Sequence, residues 1–102
     1  MKELDAKEFK ENYQKDEKAV LIDVRSPEEE IDGKIENSIN LNIMEQAFPA
    51  RIMDLDKSKN YYVYCRSGAR SATACQFMER QGFYAVNLRG GIIAWKEMNN
   101  EC

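Results

Sequence analysis

The chain has 102 residues, of which 43% are hydrophobic and 32% charged, enough apolar content to bury a core and too much for a disordered chain. The formal net charge of −3 argues against nonspecific nucleic-acid binding. Histidine is absent, which excludes Cys-His and Ser-His catalysis and removes the commonest metal ligand.

In chain order, Leu4 reads as a short edge strand. Asp5, with Glu8 three residues on, reads as the cap of a helix that places Ala6, Phe9 and Tyr13 near one face. Ala19 to Arg25 is apolar and β-branched enough for a buried parallel strand. Ser26, Pro27 and the acids Glu28, Glu29 and Glu30 signal another helix start, with Gly33 ending it. Ser38 to Ile43 alternates like a short strand. Met44 to Leu55 carries a helical stripe interrupted by Pro49. Tyr61 to Tyr64 is the next strand. A helix is predicted to start at Ser71, to place Ala74, Phe77 and Met78 on one face and to stop at Gly82, with Phe83 packing back. Ala85 to Leu88 is the last strand, and Gly90-Gly91 turns into a final helix through Ile92, Ile93, Ala94 and Trp95. Met98 to Cys102 reads as a frayed tail. Alternation of this kind predicts a single α/β domain over residues 1–102, a central parallel sheet with helices on both faces. Ligands bind such sheets at the carboxyl ends of the strands. Both Cys65 and the pair Asp23 and Arg25 would sit there.

Cys65-Arg66-Ser67-Gly68-Ala69-Arg70-Ser71 is the segment with chemical content. A cysteine ends a strand, a glycine-bearing loop with two arginines follows, and a helix begins. Loop amides and the first N–H groups of the helix can converge on one sulfur and stabilise it as a thiolate. The competing reading is a last core residue followed by solvated charges; the coincidence of all these features outweighs it. Gly68 permits a backbone turn that a Cβ would oppose, and small Ser67 and Ala69 let amides face inward. A ring of N–H groups from residues 66 to 70 is expected around the sulfur. Arg66 and Arg70 are expected to lower the thiol's pKa and to meet an anionic donor, although Arg70 could instead be tied down within the fold. Ser71 is either the helix N-cap or a hydroxyl at the site. Asp23 and Arg25 are expected beneath or beside the loop as supports.

The remaining cysteines are read differently. Cys75 is a core residue in preference to a resolving thiol, and Cys102 is terminal. Spacings among the three suit neither a disulfide framework nor a paired zinc motif, so no metal and no cofactor is expected. Trp95 and tyrosines 61, 62 and 64 are read as core or rim aromatics, and the acidic run at 28–30 as helix-start charges. No apolar run nears the ~20 residues of a membrane span, and residues 1–5 carry no apolar leader core, so a cytoplasmic protein without membrane or nucleic-acid partners is expected.

Three segments together resemble a single-domain rhodanese. Leu21-Ile22-Asp23-Val24-Arg25-Ser26-Pro27-Glu28-Glu29 is similar to that family's L-[IV]-D-V-R-x-x-x-E signature. Cys65 to Ser71 is similar to its active-site loop, and Leu88-Arg89-Gly90-Gly91-Ile92-Ile93-Ala94-Trp95 to its closing L-x-G-G-x-x-x-W element. The resemblance implies a five-stranded parallel sheet in an α/β/α sandwich. It implies a sulfurtransferase in which Cys65 takes a sulfane sulfur from thiosulfate or a persulfide and passes it to a thiol acceptor. A sulfur carrier or partner-binding module with little turnover of free thiosulfate is the alternative. A cysteine phosphatase or arsenate reductase needs C-x5-R, and here Arg70 falls one position short. The chain departs from the family at Gly33-Lys34-Ile35-Glu36-Asn37-Ser38, where G-H-I-x-G-A is usual. Altered turn geometry is expected there, not altered chemistry. The length, near the family's minimum, leaves little for a specificity lid.

Overall fold

The computed structural model describes residues 1–99. Ten elements follow one another: β1 (Lys2–Leu4), α1 (Ala6–Lys15), β2 (Ala19–Asp23), a 3-10 segment (Pro27–Asp32), β3 (Ile39–Asn40), α2 (Phe48–Met53), β4 (Asn60–Tyr64), α3 (Ala69–Arg80), β5 (Tyr84–Leu88) and α4 (Gly91–Asn99). The strands form one sheet in the order β1-β5-β4-β2-β3, parallel throughout.

Side chains of a strand alternate between faces, and this divides the core in two. Tyr61, Val63 and Cys65 point to one face, where Phe48 and Ile52 of α2 and Ala74, Cys75 and Met78 of α3 cover them. Tyr62 and Tyr64 point to the other, under Ala6 and Phe9 of α1 and Ile92 of α4. The result is the expected three-layer α/β/α sandwich. Aromatic edges finish the second layer: Phe9 meets Tyr62 and Trp95 with ring centroids 5.4 and 6.2 Å apart.

Local chemistry accounts for the boundaries. Asp5 caps α1 by accepting the Glu8 N–H at 2.9 Å. Phe83 N–H returns to the Met78 carbonyl at 3.0 Å just past α3, and Phe83 is buried. Several expectations shift. The helix expected after Ser26 is a 3-10 segment, its start closed by Ser26 Oγ on the Glu29 carboxylate at 3.2 Å. Pro49 begins α2 instead of interrupting a longer helix, because the first turn has no N–H partner to lose. Met44 is exposed before it. The strand expected over 38–43 pairs regularly at Ile39–Asn40 alone; Leu41 and Ile43 then donate to the Asp23 and Val24 carbonyls at 2.9 and 3.1 Å. Met98 and Asn99, expected to fray, belong to α4, whereas Cys102 lies outside the described residues. Asn37 takes φ +73° at the place where the resemblance led to a glycine. Asparagine is among the few other residues that tolerate that region.

Candidate active site

Strand β4 delivers Cys65 to the carboxyl edge of the sheet, and Gly68, at φ +109°, turns the chain directly into α3. The helix therefore starts two residues before the expected Ser71, with Gly68 and not Ser71 as its cap residue. Ser71 falls in the first turn, where backbone N–H groups lack helical partners. Its N–H lies 3.4 Å from Cys65 Sγ, its hydroxyl 3.3 Å, and the Gly68 N–H 3.1 Å. Together with Ser67 these groups form the cradle, a narrower set than the ring expected from residues 66 to 70. Ala69 follows Gly68 on the exposed side as the first residue of α3.

Cys65 is fully buried and belongs to the apolar cluster beneath α3. Burial pushes its thiol up. Hydrogen bonds from the Ser71 hydroxyl, the Ser71 N–H, Gly68 and Ser67 outweigh that and leave it below the ordinary thiol value. Cys75, one helical turn beyond Ser71, has the same burial without such donors, and its thiol is pushed up to about 12.

The arginines separate. Arg70 grips Glu29 through both guanidinium nitrogens, at 2.7 and 2.9 Å. This pair, foremost among the causes, holds the Glu29 carboxyl at about 2. Amides and a hydroxyl are thus the main groups that lower the thiol, and the Arg70 charge is also felt at the sulfur. Arg66 is exposed and makes no ion pair among the described residues. It lines a cavity of about 260 Å3 with Arg25, Glu29, Asp32, Ile92, Ile93 and Lys96.

Arg25 stands beside the loop, on the cavity that Arg66 also lines, and neither it nor Asp23 lies under the sulfur. Asp23 is opposite Tyr64 in the β2–β4 register, so alternation sends it to the face away from Cys65. There it pairs with Arg25 at 2.8 Å, both buried. Arg25 stacks over the Tyr64 ring at 5.6 Å and donates to the Glu29 and Gly33 carbonyls at 3.3 and 2.9 Å. The pair thus anchors residues 26–33, which carry the Glu29 that holds Arg70. Its support reaches the loop at second hand.

Helix α4 closes the loop's other side. Ile92 N–H reaches the Cys65 carbonyl at 2.9 Å and Ile93 N–H the Arg66 carbonyl at 3.3 Å. Gly91 sits at φ +60°, and a Cβ there would collide with the carbonyls of Arg66 and Cys65. The closing Gly-Gly of the sequence exists for this approach.

One residue and one role escaped the sequence reading. Glu29 was quoted as the last position of a signature and as a helix-start charge, but not as the partner of Arg70. Asn87, fully buried on β5, carried a signal, since it is the one polar residue among Ala85, Val86 and Leu88. Among the described residues no group of acidic and cysteine side chains could hold a metal, and no helix is long and apolar enough to cross a membrane.

A family profile described as a rhodanese-like domain matches residues 5–98. A sulfurtransferase of Allochromatium vinosum is 38% identical over 94 residues, spanning 91% of this chain and 86% of its own. A rhodanese-related protein from Thermoplasma volcanium superposes with a TM-score of 0.85 at 35% identity, over 96% of this chain and 93% of that one. A rhodanese-like domain protein from Staphylococcus aureus gives 0.81 at 32% identity, over 93% and 91%.

Proposed function

The chain belongs to the rhodanese-like domain family, and from that premise we propose that it is a sulfurtransferase working through a persulfide on Cys65. The observation that carries this reading is the convergence of the Gly68 and Ser71 amides and the Ser71 hydroxyl on one sulfur. In the first step the Cys65 thiolate attacks the outer sulfur of a donor. The donor's S–S bond breaks, and its remainder leaves with the bonding pair, as sulfite from thiosulfate or as a thiolate from a persulfide. The new outer sulfur on Cys65 is anionic, and loop amides steady it as an oxyanion hole steadies oxygen. In the second step an acceptor thiolate takes that sulfur and Cys65 leaves as the thiolate. A low thiol pKa serves both steps, because the nucleophile of the first is the leaving group of the second.

Arg66 is the proposed donor-facing cation. It has no competing partner among the described residues, and the adjoining cavity combines its charge with Lys96 and the apolar Ile92 and Ile93. A carrier reading is favoured by one observation, the complete covering of Cys65, which suits delivery by a docking protein better than capture of a free anion.

Incubation with thiosulfate, or with an organic persulfide, followed by intact mass measurement tests both. The wild type gains one sulfur and Cys65→Ser gains none. Gain from the persulfide alone selects the carrier reading. No gain from any sulfane donor overturns the proposal.

A further inference from the structure

Asn87 is a buried amide in the middle of an apolar strand, and burying such a group is costly unless its hydrogen bonds are met. Val63 of β4 pairs with it in register, so Asn87 shares the face on which Cys65 lies. All of its polar atoms are engaged. Nδ2 donates to Glu3 Oε2 at 2.8 Å and to the Gly68 carbonyl at 3.3 Å. Glu3 belongs to β1, 84 positions away in the chain, and its other oxygen takes Arg89 Nε at 3.3 Å. A carboxylate only accepts, so it fixes which end of the amide faces it. Oδ1 is left pointing at Ser71, whose hydroxyl donates to it.

That hydroxyl has one proton and three acceptors within reach: Asn87 Oδ1, Cys65 Sγ at 3.3 Å and the Gly68 carbonyl at 3.2 Å. It cannot serve the sulfur and the amide together. We infer that Asn87 is a positioning residue for the thiol: pinned by Glu3, its amide oxygen holds the Ser71 proton while the sulfur is uncharged and competes with the sulfur for that proton when the thiolate forms. The competition tempers the thiolate and keeps the hydroxyl in the rotamer that reaches Sγ. Other charged or titratable groups near the sulfur are fixed or set back: Arg70 is bound to Glu29, Arg66 is solvated, and Cys75 is buried. Asp23 and Arg25 pair on the opposite face.

The inference rests on reading Cys65 as the nucleophile, but its test reads ionisation and not turnover, so sulfur loading can fail while this holds. In the full chain, the pH dependence of thiolate absorbance and of iodoacetamide alkylation mapped to Cys65 gives the thiol's titration. Ser71→Ala removes the donor and raises the midpoint by about one unit. Asn87→Leu, similar in volume and without an acceptor, hands the proton to the sulfur and lowers the midpoint by about half a unit. In the Ser71→Ala background, Asn87→Leu shifts nothing further. A merely structural Asn87 gives the opposite sign, because a loosened cradle raises the midpoint in both variants. An upward shift in Asn87→Leu, or a shift that survives Ser71→Ala, overturns the assignment. Asn87→Val replaces Asn87→Leu if the latter does not fold, and failure of both to fold makes Asn87 structural and overturns it too.

Discussion

Cys65 and Cys75 share a cluster and complete burial, yet they are opposite kinds of sulfur. Burial alone raises a thiol's pKa, and Cys75 shows that outcome, pushed up to about 12. At Cys65 the same penalty is outweighed by three amides and a hydroxyl. Ten residues of chain separate a thiol held by the unpaired first turn of α3 from one beside the helix's satisfied interior. The lesson is that hydrogen-bond supply, more than exposure, divides a reactive cysteine from a core cysteine.

The largest test of that division removes each sulfur in turn. Cys65→Ser abolishes sulfur loading outright, whereas Cys75→Ala loads to the wild-type extent and costs about 1 kcal/mol of stability, both read by intact mass and denaturant titration. Next comes Gly91→Ala, which drives a Cβ into the carbonyls of Cys65 and Arg66. It is expected to cost more than about 2 kcal/mol in denaturant and to slow Cys65 alkylation in whatever protein folds.

Glu29→Gln separates charge from hydrogen bonding. The Glu29 carboxyl is held at about 2 in the folded protein, below its value of 4.5. A depressed carboxyl stabilises the fold above the unfolded pKa, and that contribution disappears as pH falls from 4.5 towards 2. Both partners are about one-third exposed, so the effect is about 1 kcal/mol after screening. The variant should lack that acid-labile increment in thermal melts run across this window. Its Cys65 titration should move down by no more than about 0.3 units, because hydrogen bonds dominate the lowering of the thiol and the Arg70 charge adds a smaller effect. The smallest effect is a control remote from both sulfurs. Asn37→Gly relieves a left-handed residue at φ +73° and should raise the melting temperature by a few degrees without touching either thiol.

Much of this division was legible before any coordinates. Apolar runs located β2, β4 and β5, and a one-sided apolar stripe located α3, each to within a residue or two, and strand–loop–helix order singled out Cys65. Where the reading missed, the deciding term was non-local. Asp23 sits opposite Tyr64, and only that register shows that its face is not the sulfur's. Between the two roles open to Ser71, cap and site hydroxyl, the sequence could not choose, because the left-handed turn at Gly68 that starts α3 early lies where a Cβ would meet the Leu88 carbonyl and the Gly90 amide, far along the chain. Asn87 was visible as a polar residue in an apolar strand, but its partner Glu3 lies at the far end of the sequence. Arg70 and Glu29 meet across 41 positions, a distance no local pattern spans.

The most direct measurement is competitive alkylation of the native protein across pH, with both described cysteines quantified by peptide mapping. Cys65 should react with a midpoint clearly below the ~8.5 of a free thiol while Cys75 stays unmodified throughout. A Cys65 midpoint at or above that of a free thiol, or equal protection of the two sulfurs, would show that the amides do not hold the charge.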